Sequence, residues 1–207
     1  MSAGLLVIGL DAAEGTLIDR LIADGDMPIL GRLSETADRY RLANSVNRLP
    51  GAIWPELSSG RSCGREGRYA HLRQLHTGET RPRPIEEDEV DSRAYWTVAG
   101  EAGRRVAVAD VPMSVRAPGL NGLQLLEWGI HDRKWGPRSE PPELIDDLRA
   151  RHDDYPVWTC ETHGGTVAGY TQLRDALVKG AEQKTKAVPP PPPERALADR
   201  HHRAPDA

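Results

Sequence analysis

Leu5–Leu6–Val7–Ile8–Gly9–Leu10 is an apolar run that breaks at once on an acid, Asp11. A short run of this kind, without polar alternation, reads as a parallel strand buried on both faces. In an open α/β sheet, ligands bind beyond the carboxyl ends of the strands, so an acid in that place is set to meet a metal or a substrate. Asp is also a common N-cap and a common loop acid, and those two roles stand beside the functional one.

Working outward from this run, Thr16–Ala23 places Leu17, Ile18, Leu21 and Ile22 on one helical face, with Gly25 as its C′ residue. Met27–Pro28–Ile29–Leu30 begins a second short helix, Pro28 suiting its first turn. Arg39–Ala43 alternates as a half-exposed strand, and Ile53–Ser58 reads as a short helix closed by Gly60. From about Arg61 to Asp91 the pattern is irregular and rich in Gly and Pro, a length of loop that is usually functional or mobile. Ser92–Ala102 reads as a helix. Arg105–Asp110 and Leu123–Glu127 read as strands that each end in an acid. Pro141–Arg151 is a helix opened by prolines, and Gly169–Lys186 an amphipathic helix with Leu173, Leu177 and Val178 inward. The alternation of strand and helix predicts an α/β fold with a mostly parallel sheet flanked by helices. It spans residues 1–186, and residues 187–207 form a Pro-rich tail, with Pro189–Pro193 as a stiff segment in an otherwise disordered stretch.

Composition bounds the function. The chain has 207 residues, enough for one domain with a real core. Phe is absent, so five Trp and five Tyr carry the aromatic packing. A net charge of −4 with scattered Arg gives no footprint for nucleic acid. Cys63 and Cys160 cannot build a disulfide framework, and neither belongs to a C-x-x-C pair. The start of the chain lacks a basic n-region, and no stretch approaches the ~20 apolar residues of a spanning helix, so a cytoplasmic protein with no membrane partner is expected.

Val7–Ile8–Gly9–Leu10–Asp11–Ala12, then a helix, then Met27–Pro28–Ile29–Leu30–Gly31–Arg32–Leu33, resembles the opening of the type I phosphodiesterase/nucleotide pyrophosphatase family of the alkaline phosphatase superfamily. That opening is a V-I-G-L-D-G-like strand, a helix and a P-N-L-x-x-L segment. Trp54 to Gly67 is similar to the family's W-x-x-x-x-T-G-x-x-P-x-x-H-G stretch, with Ser59–Gly60 at its T-G pair. The two stretches cover roughly the first seventy residues, in the family's order. The resemblance implies an alkaline-phosphatase-like α/β fold and a hydrolase of phosphoric ester or anhydride bonds. It also implies a small phosphorylated substrate and two divalent metals, Zn²⁺ or Mn²⁺, clamping the reacting oxygens roughly 3.5–4 Å apart. Asp11 matches the family's first metal ligand.

Other positions depart from the family. Its nucleophilic Thr or Ser lies about ten residues before the Gly of the T-G pair, and that count falls on Pro50, which has no hydroxyl. Ser45 is the nearest hydroxyl upstream. Glu66 replaces the family's His and Cys63 its Pro. The family's D-x-x-x-H and D-H-G ligand elements are not found, and His201–His202 in the tail are no substitute. The chain is therefore expected to be the N-terminal part of such an enzyme, truncated, with its activity in this form left open. The alternative is a non-enzymatic, degenerate or truncated domain that binds a phosphorylated ligand or a partner. A dinucleotide site is a weaker third reading, because Gly9–Gly15 lacks the G-x-G-x-x-G spacing.

Three further sets carry two readings each. Asp110 and Glu127, with His131 and Asp132, are either a carboxylate–histidine cluster suited to a divalent metal or loop acids and caps, and the second reading is preferred. Trp128 and Arg133 either stack and hydrogen-bond a phosphorylated ligand or simply pack and face solvent. Arg61, Arg65 and Arg68 are either an anion cradle or a basic surface loop without the Walker lysine. His71, His76 and His163 show no H-x-x-x-H spacing.

Overall fold

The structure is a computed structural model that describes residues 4–11, 13–42, 50–62, 64–65, 68–70, 73–74, 78, 80–81, 83–91, 93–131, 133–157 and 167–187. The chain divides into two compact units, residues 1–48 and 49–207.

The first unit is a pair of helices, α1 (Gly15–Ala23) and α2 (Pro28–Thr36). Helix α1 begins where the Glu14 carboxylate accepts the N–H groups of Thr16 (3.0 Å) and Leu17 (2.8 Å), two donors the first turn cannot satisfy itself. The Thr16 hydroxyl and these two N–H groups hold Glu14 below the usual carboxylate range. The helix ends on Gly25 at φ +83°, with Gly25 N–H bonded to Ile22 O and Asp26 N–H to Leu21 O, the two closing bonds of a Schellman turn. Pro28 opens α2, as its fixed φ and missing N–H suit a first turn. Helix α2 approaches α1 at Gly31, where a Cβ would lie 3.3 Å from Ile22 Cγ2. Neither helix buries a residue.

Two expected strands of this unit are not formed. Residues 4–10 belong to no regular element, and Leu5, Leu6 and Ile8 are 86%, 80% and 71% exposed. A strand is stabilised by the ladder it shares with neighbours, and an apolar run cannot supply that partner by itself. Residues 39–42 are likewise irregular, with Tyr40 and Leu42 exposed, and Ala43 lies outside the described residues.

The second unit opens with α3 (Pro50–Ser59). Gly60 closes it at φ +68°, its N–H bonded to Glu56 O. Three short antiparallel strands follow, β1 (Arg68–Ala70), β2 (Arg73–Gln74) and β3 (Arg83–Pro84), then a 3-10 turn at Glu87–Glu89 and helix α4 (Tyr95–Glu101). The main sheet is built from β4 (Val106–Ala109), β5 (Gly122–Leu126) and β6 (Arg138–Glu140) in that order. Strands β4 and β5 are parallel, pairing Val106 with Gly122 through Ala109 with Leu125, and β6 is antiparallel to β5. The fold is thus helices with a small mixed sheet, which corrects the expectation of a mostly parallel one. Gly122 is required at the start of β5: its φ is +146°, and a Cβ there would lie 1.8 Å from Val106 O.

Strand β6 went unread because Arg138–Ser139–Glu140 has no apolar residue. Its centre is nonetheless buried: the Ser139 hydroxyl donates to Pro141 O (2.7 Å) and accepts Ile145 N–H (2.9 Å), which fixes the start of α5 (Glu143–His152). Gln124 on β5 is fully buried, its amide oxygen accepting Ala117 N–H (2.9 Å) and its amide nitrogen donating to Val115 O (3.0 Å). The core gathers Trp128, Ile145 and Leu148, with Leu125 and Ala187 against them. Helix α6 (Val167–Ala187) ends the described chain. Of the three residues expected inward, Leu173 is half-buried while Leu177 and Val178 are 47% and 55% exposed; the helix turns Gly180 and Gln183 inward as well.

Candidate functional site at the carboxyl end of the parallel strand pair

Parallel pairing brings the ends of β4 and β5 to one edge, and each strand ends on an acid in the left-handed region, Asp110 at φ +51° and Glu127 at φ +55°. Such a backbone state is uncommon for a side-chain-bearing residue and is held by what surrounds it. Asp110 Oδ1 accepts Trp128 N–H (3.0 Å) and Oδ2 accepts Gly129 N–H (2.9 Å). Glu127 Oε2 accepts three successive N–H groups, from Lys134 (3.0 Å), Trp135 (2.8 Å) and Gly136 (2.6 Å). The two carboxylates therefore fold the connection between β5 and β6 around themselves, as anions do in backbone nests.

Arginines complete the edge. Arg138 Nη1 lies 3.4 Å from Glu127 Oε2, while Nε and Nη2 grip Glu87 at 3.0 and 2.9 Å and the guanidinium lies 5.1 Å from the centre of the Trp135 ring. Arg133 is bidentate to Asp154 (2.9 and 3.2 Å) and donates to Trp128 O at 2.6 Å. Trp128 is 2% exposed, with Nε1 donating to Asp153 O (3.2 Å), so it is a packing residue and offers no stacking face.

Burial pushes both Asp110 and Glu127 above the ordinary carboxylate range, against the opposing pull of Lys184 on the first and Arg138 on the second. A carboxyl whose folded pKa is raised binds its proton more readily folded than unfolded. Its contribution is present at low pH and is lost as pH climbs through the folded value. Lowering the pH from 7 to 5 is therefore expected to raise the urea midpoint of the wild type. Glu127→Gln is expected to flatten that pH dependence, since its amide oxygen still accepts the three N–H groups and nothing titrates. The midpoint of the wild type is expected to rise more than that of the variant as the pH falls from 7 to 5. Equal pH dependence in the two would refute this.

Asp11 belongs to the first unit. It lies exposed in a turn ahead of α1, with no strand before it, and the helix cap is Glu14 rather than Asp11. Among the described residues no group of three or more His, Cys, Asp and Glu could hold a metal ion. A carboxylate oxygen suits Zn²⁺ or Mn²⁺, but one donor falls short of the four a zinc site takes. At Asp110 and Glu127 three of the four oxygens are spent on backbone N–H groups, and Lys184, Arg133 and Arg138 supply the positive charge. That donor set does not fit a dication, so the preferred loop-acid reading describes both residues. His131 is exposed, and Asp132 lies outside the described residues.

Of the other sequence candidates, Pro50 opens α3, and the hydroxyls of Ser58 and Ser59 both donate to Pro55 O within that helix. Arg61 and Arg65 are exposed, and Arg68 lies on β1. Ser45, Cys63, Glu66, Gly67, His71, His76, Cys160, His163, His201 and His202 lie outside the described residues. Sequence reasoning missed Gln124 and Lys184, polar residues on elements whose apolar pattern drew the reading, and Arg138 and Ser139, on a strand with no apolar residue to signal it. No family model, no curated protein and no solved structure matches the chain. No helix among the described residues is long and apolar enough to cross a membrane.

Proposed function

We propose that the chain is a hydrolase of phosphoric ester or anhydride bonds, similar to the phosphodiesterase/nucleotide pyrophosphatase family. Asp11 contributes to a divalent-metal site, Zn²⁺ or Mn²⁺, as the resemblance implies. The carrying observation is the two family-like stretches in their expected order, Val7–Leu33 and Trp54–Gly67. In the second, Trp54 and Ser59 lie on α3, and Gly60 ends that helix in the left-handed conformation glycine favours.

A second reading is supported by Pro50. It occupies the nucleophile's place at the start of α3 and has no hydroxyl with which to attack phosphorus. On this reading the chain binds a phosphorylated ligand without cleaving it.

One experiment separates the two. The chain is assayed on bis-p-nitrophenyl phosphate and p-nitrophenyl phosphate with Zn²⁺ or Mn²⁺, alongside Asp11→Ala. The hydrolase reading expects metal-dependent turnover that falls about a hundredfold or more in the variant, since even outer-shell changes at metal sites cost 10–100-fold. No turnover by folded protein, with calorimetric binding of p-nitrophenyl phosphate, would move the assignment to the second reading.

A further inference from the structure

From Gly180 onward, α6 meets the rest of its unit through Gly180, Gln183, Lys184 and Ala187, a helical stripe at i, i+3, i+4 and i+7. Most of this stripe is not apolar. Gly180 lies so close to Tyr155 that a Cβ would be 2.5 Å from its ring. Gln183 is buried, its Nε2 donating to His152 O (2.7 Å) at the end of α5. The Lys184 ammonium sits 5.0 Å from the centre of the Tyr155 ring. A Cβ built on Gly129 would lie 3.2 Å from Lys184 Nζ and 2.5 Å from Asp110 Oδ2, so ammonium and carboxylate stand within about 6 Å, the range of an opposite-charge interaction. Only Ala187 adds to the apolar core. Tyr170, Leu177 and Val178 are 68%, 47% and 55% exposed.

Segments with few buried apolar contacts open at low free energy, below the cost of global unfolding. Helix α6 also covers a distinctive place, the carboxyl end of β4, where α/β sheets take ligands. We propose that α6 is a releasable strap over this edge. Lys184 anchors it to Asp110 and Gln183 anchors it to the end of α5, and its opening uncovers Asp110 with the Trp128 and Gly129 N–H groups. Asp110 faces Lys184 from α6 and Arg133 from the β5–β6 connection, so the charge lost when α6 leaves is that of Lys184 alone.

Hydrogen–deuterium exchange of the full chain tests this. Lys184→Met keeps the apolar stem and removes the charge. Amides of residues 176–187 are expected to exchange about tenfold faster in the variant, with those of β4 and β5 unchanged. Unchanged exchange in α6 overturns the proposal, and so does equal acceleration in β4 and β5, which would make α6 part of the cooperative core. Gly180→Ala is the second variant. It drives a methyl into the Tyr155 ring while favouring the helix itself. Faster exchange of α6 supports a strap held at this seam, and unchanged or slower exchange overturns it.

Discussion

Trp128→Ala is expected to lower the unfolding free energy of the unit spanning residues 49–207 by about 3–5 kcal/mol. Trp128 follows directly on Glu127 and is 2% exposed. It packs with Ile145 and Leu148 of α5, and with Leu125 and Ala187 at the margin. Its ring lies 6.2 Å from that of Tyr155, at a tilt of 51°. Truncation empties a cluster in which the sheet, α5 and the end of α6 share apolar contact. It also strips Asp153 O of the indole donor. The loss is a large share of the ~5–15 kcal/mol that holds a typical domain. Urea unfolding followed by circular dichroism reads it as a fall in midpoint at unchanged slope. A shift worth less than about 1 kcal/mol would mean that this cluster is not the unit's core. Trp128→Phe keeps most of the volume and is expected to lose less than half as much.

The sequence made part of this legible, for local reasons. The caps were readable because they are short-range chemistry: Gly25 after α1, Pro28 opening α2, Gly60 after α3. The parallel pair β4 and β5 was readable because Val106–Ala109 and Leu123–Leu126 are short apolar runs broken by acids. The acids that break them, Asp110 and Glu127, do meet at one edge. Their partners could not be read, because those partners are backbone N–H groups of residues 128, 129 and 134–136, which carry no side-chain signature.

The misreadings share one cause. An apolar pattern states what a segment could bury and says nothing of whether a partner exists. Residues 4–10 have the pattern of a strand and lack its ladder. Helix α6 has apolar residues at Leu173, Leu177 and Val178, of which only Leu173 is half-buried, and it turns Gly180 and Gln183 inward. Strand β6 is the converse: its polar residues lie buried or half-buried because they find partners, Ser139 in the first turn of α5 and Arg138 on Glu87. Asp11 was singled out for what precedes it, and the structure gives it an exposed turn instead of a strand end.

Gln124→Leu is expected to cost about 3 kcal/mol even though leucine matches the strand's apolar pattern. Gln124 is fully buried in the central strand β5, and its two amide atoms bond Ala117 N–H and Val115 O, tying the segment between β4 and β5 back onto the sheet. Leucine gains transfer free energy but strips the buried Ala117 N–H and the half-buried Val115 O of their partner, and an unpaired buried group costs about 1–3 kcal/mol. The penalty exceeds the gain because Ala117 is buried and its N–H loses the acceptor that Gln124 supplied. Gln124→Glu is the informative companion. Ionised, it still accepts Ala117 N–H, but it turns an anionic oxygen on Val115 O. Protonated, it restores both hydrogen bonds. Its folded pKa is thus raised, and the variant is expected to approach wild-type stability as pH falls toward the carboxylate range and to lose it as pH rises. A deficit of Gln124→Leu relative to wild type that does not change with pH, beside a deficit of Gln124→Glu that shrinks on acidification, would identify the lost pair as the cause. Equal deficits in both variants at every pH would assign the loss to packing alone.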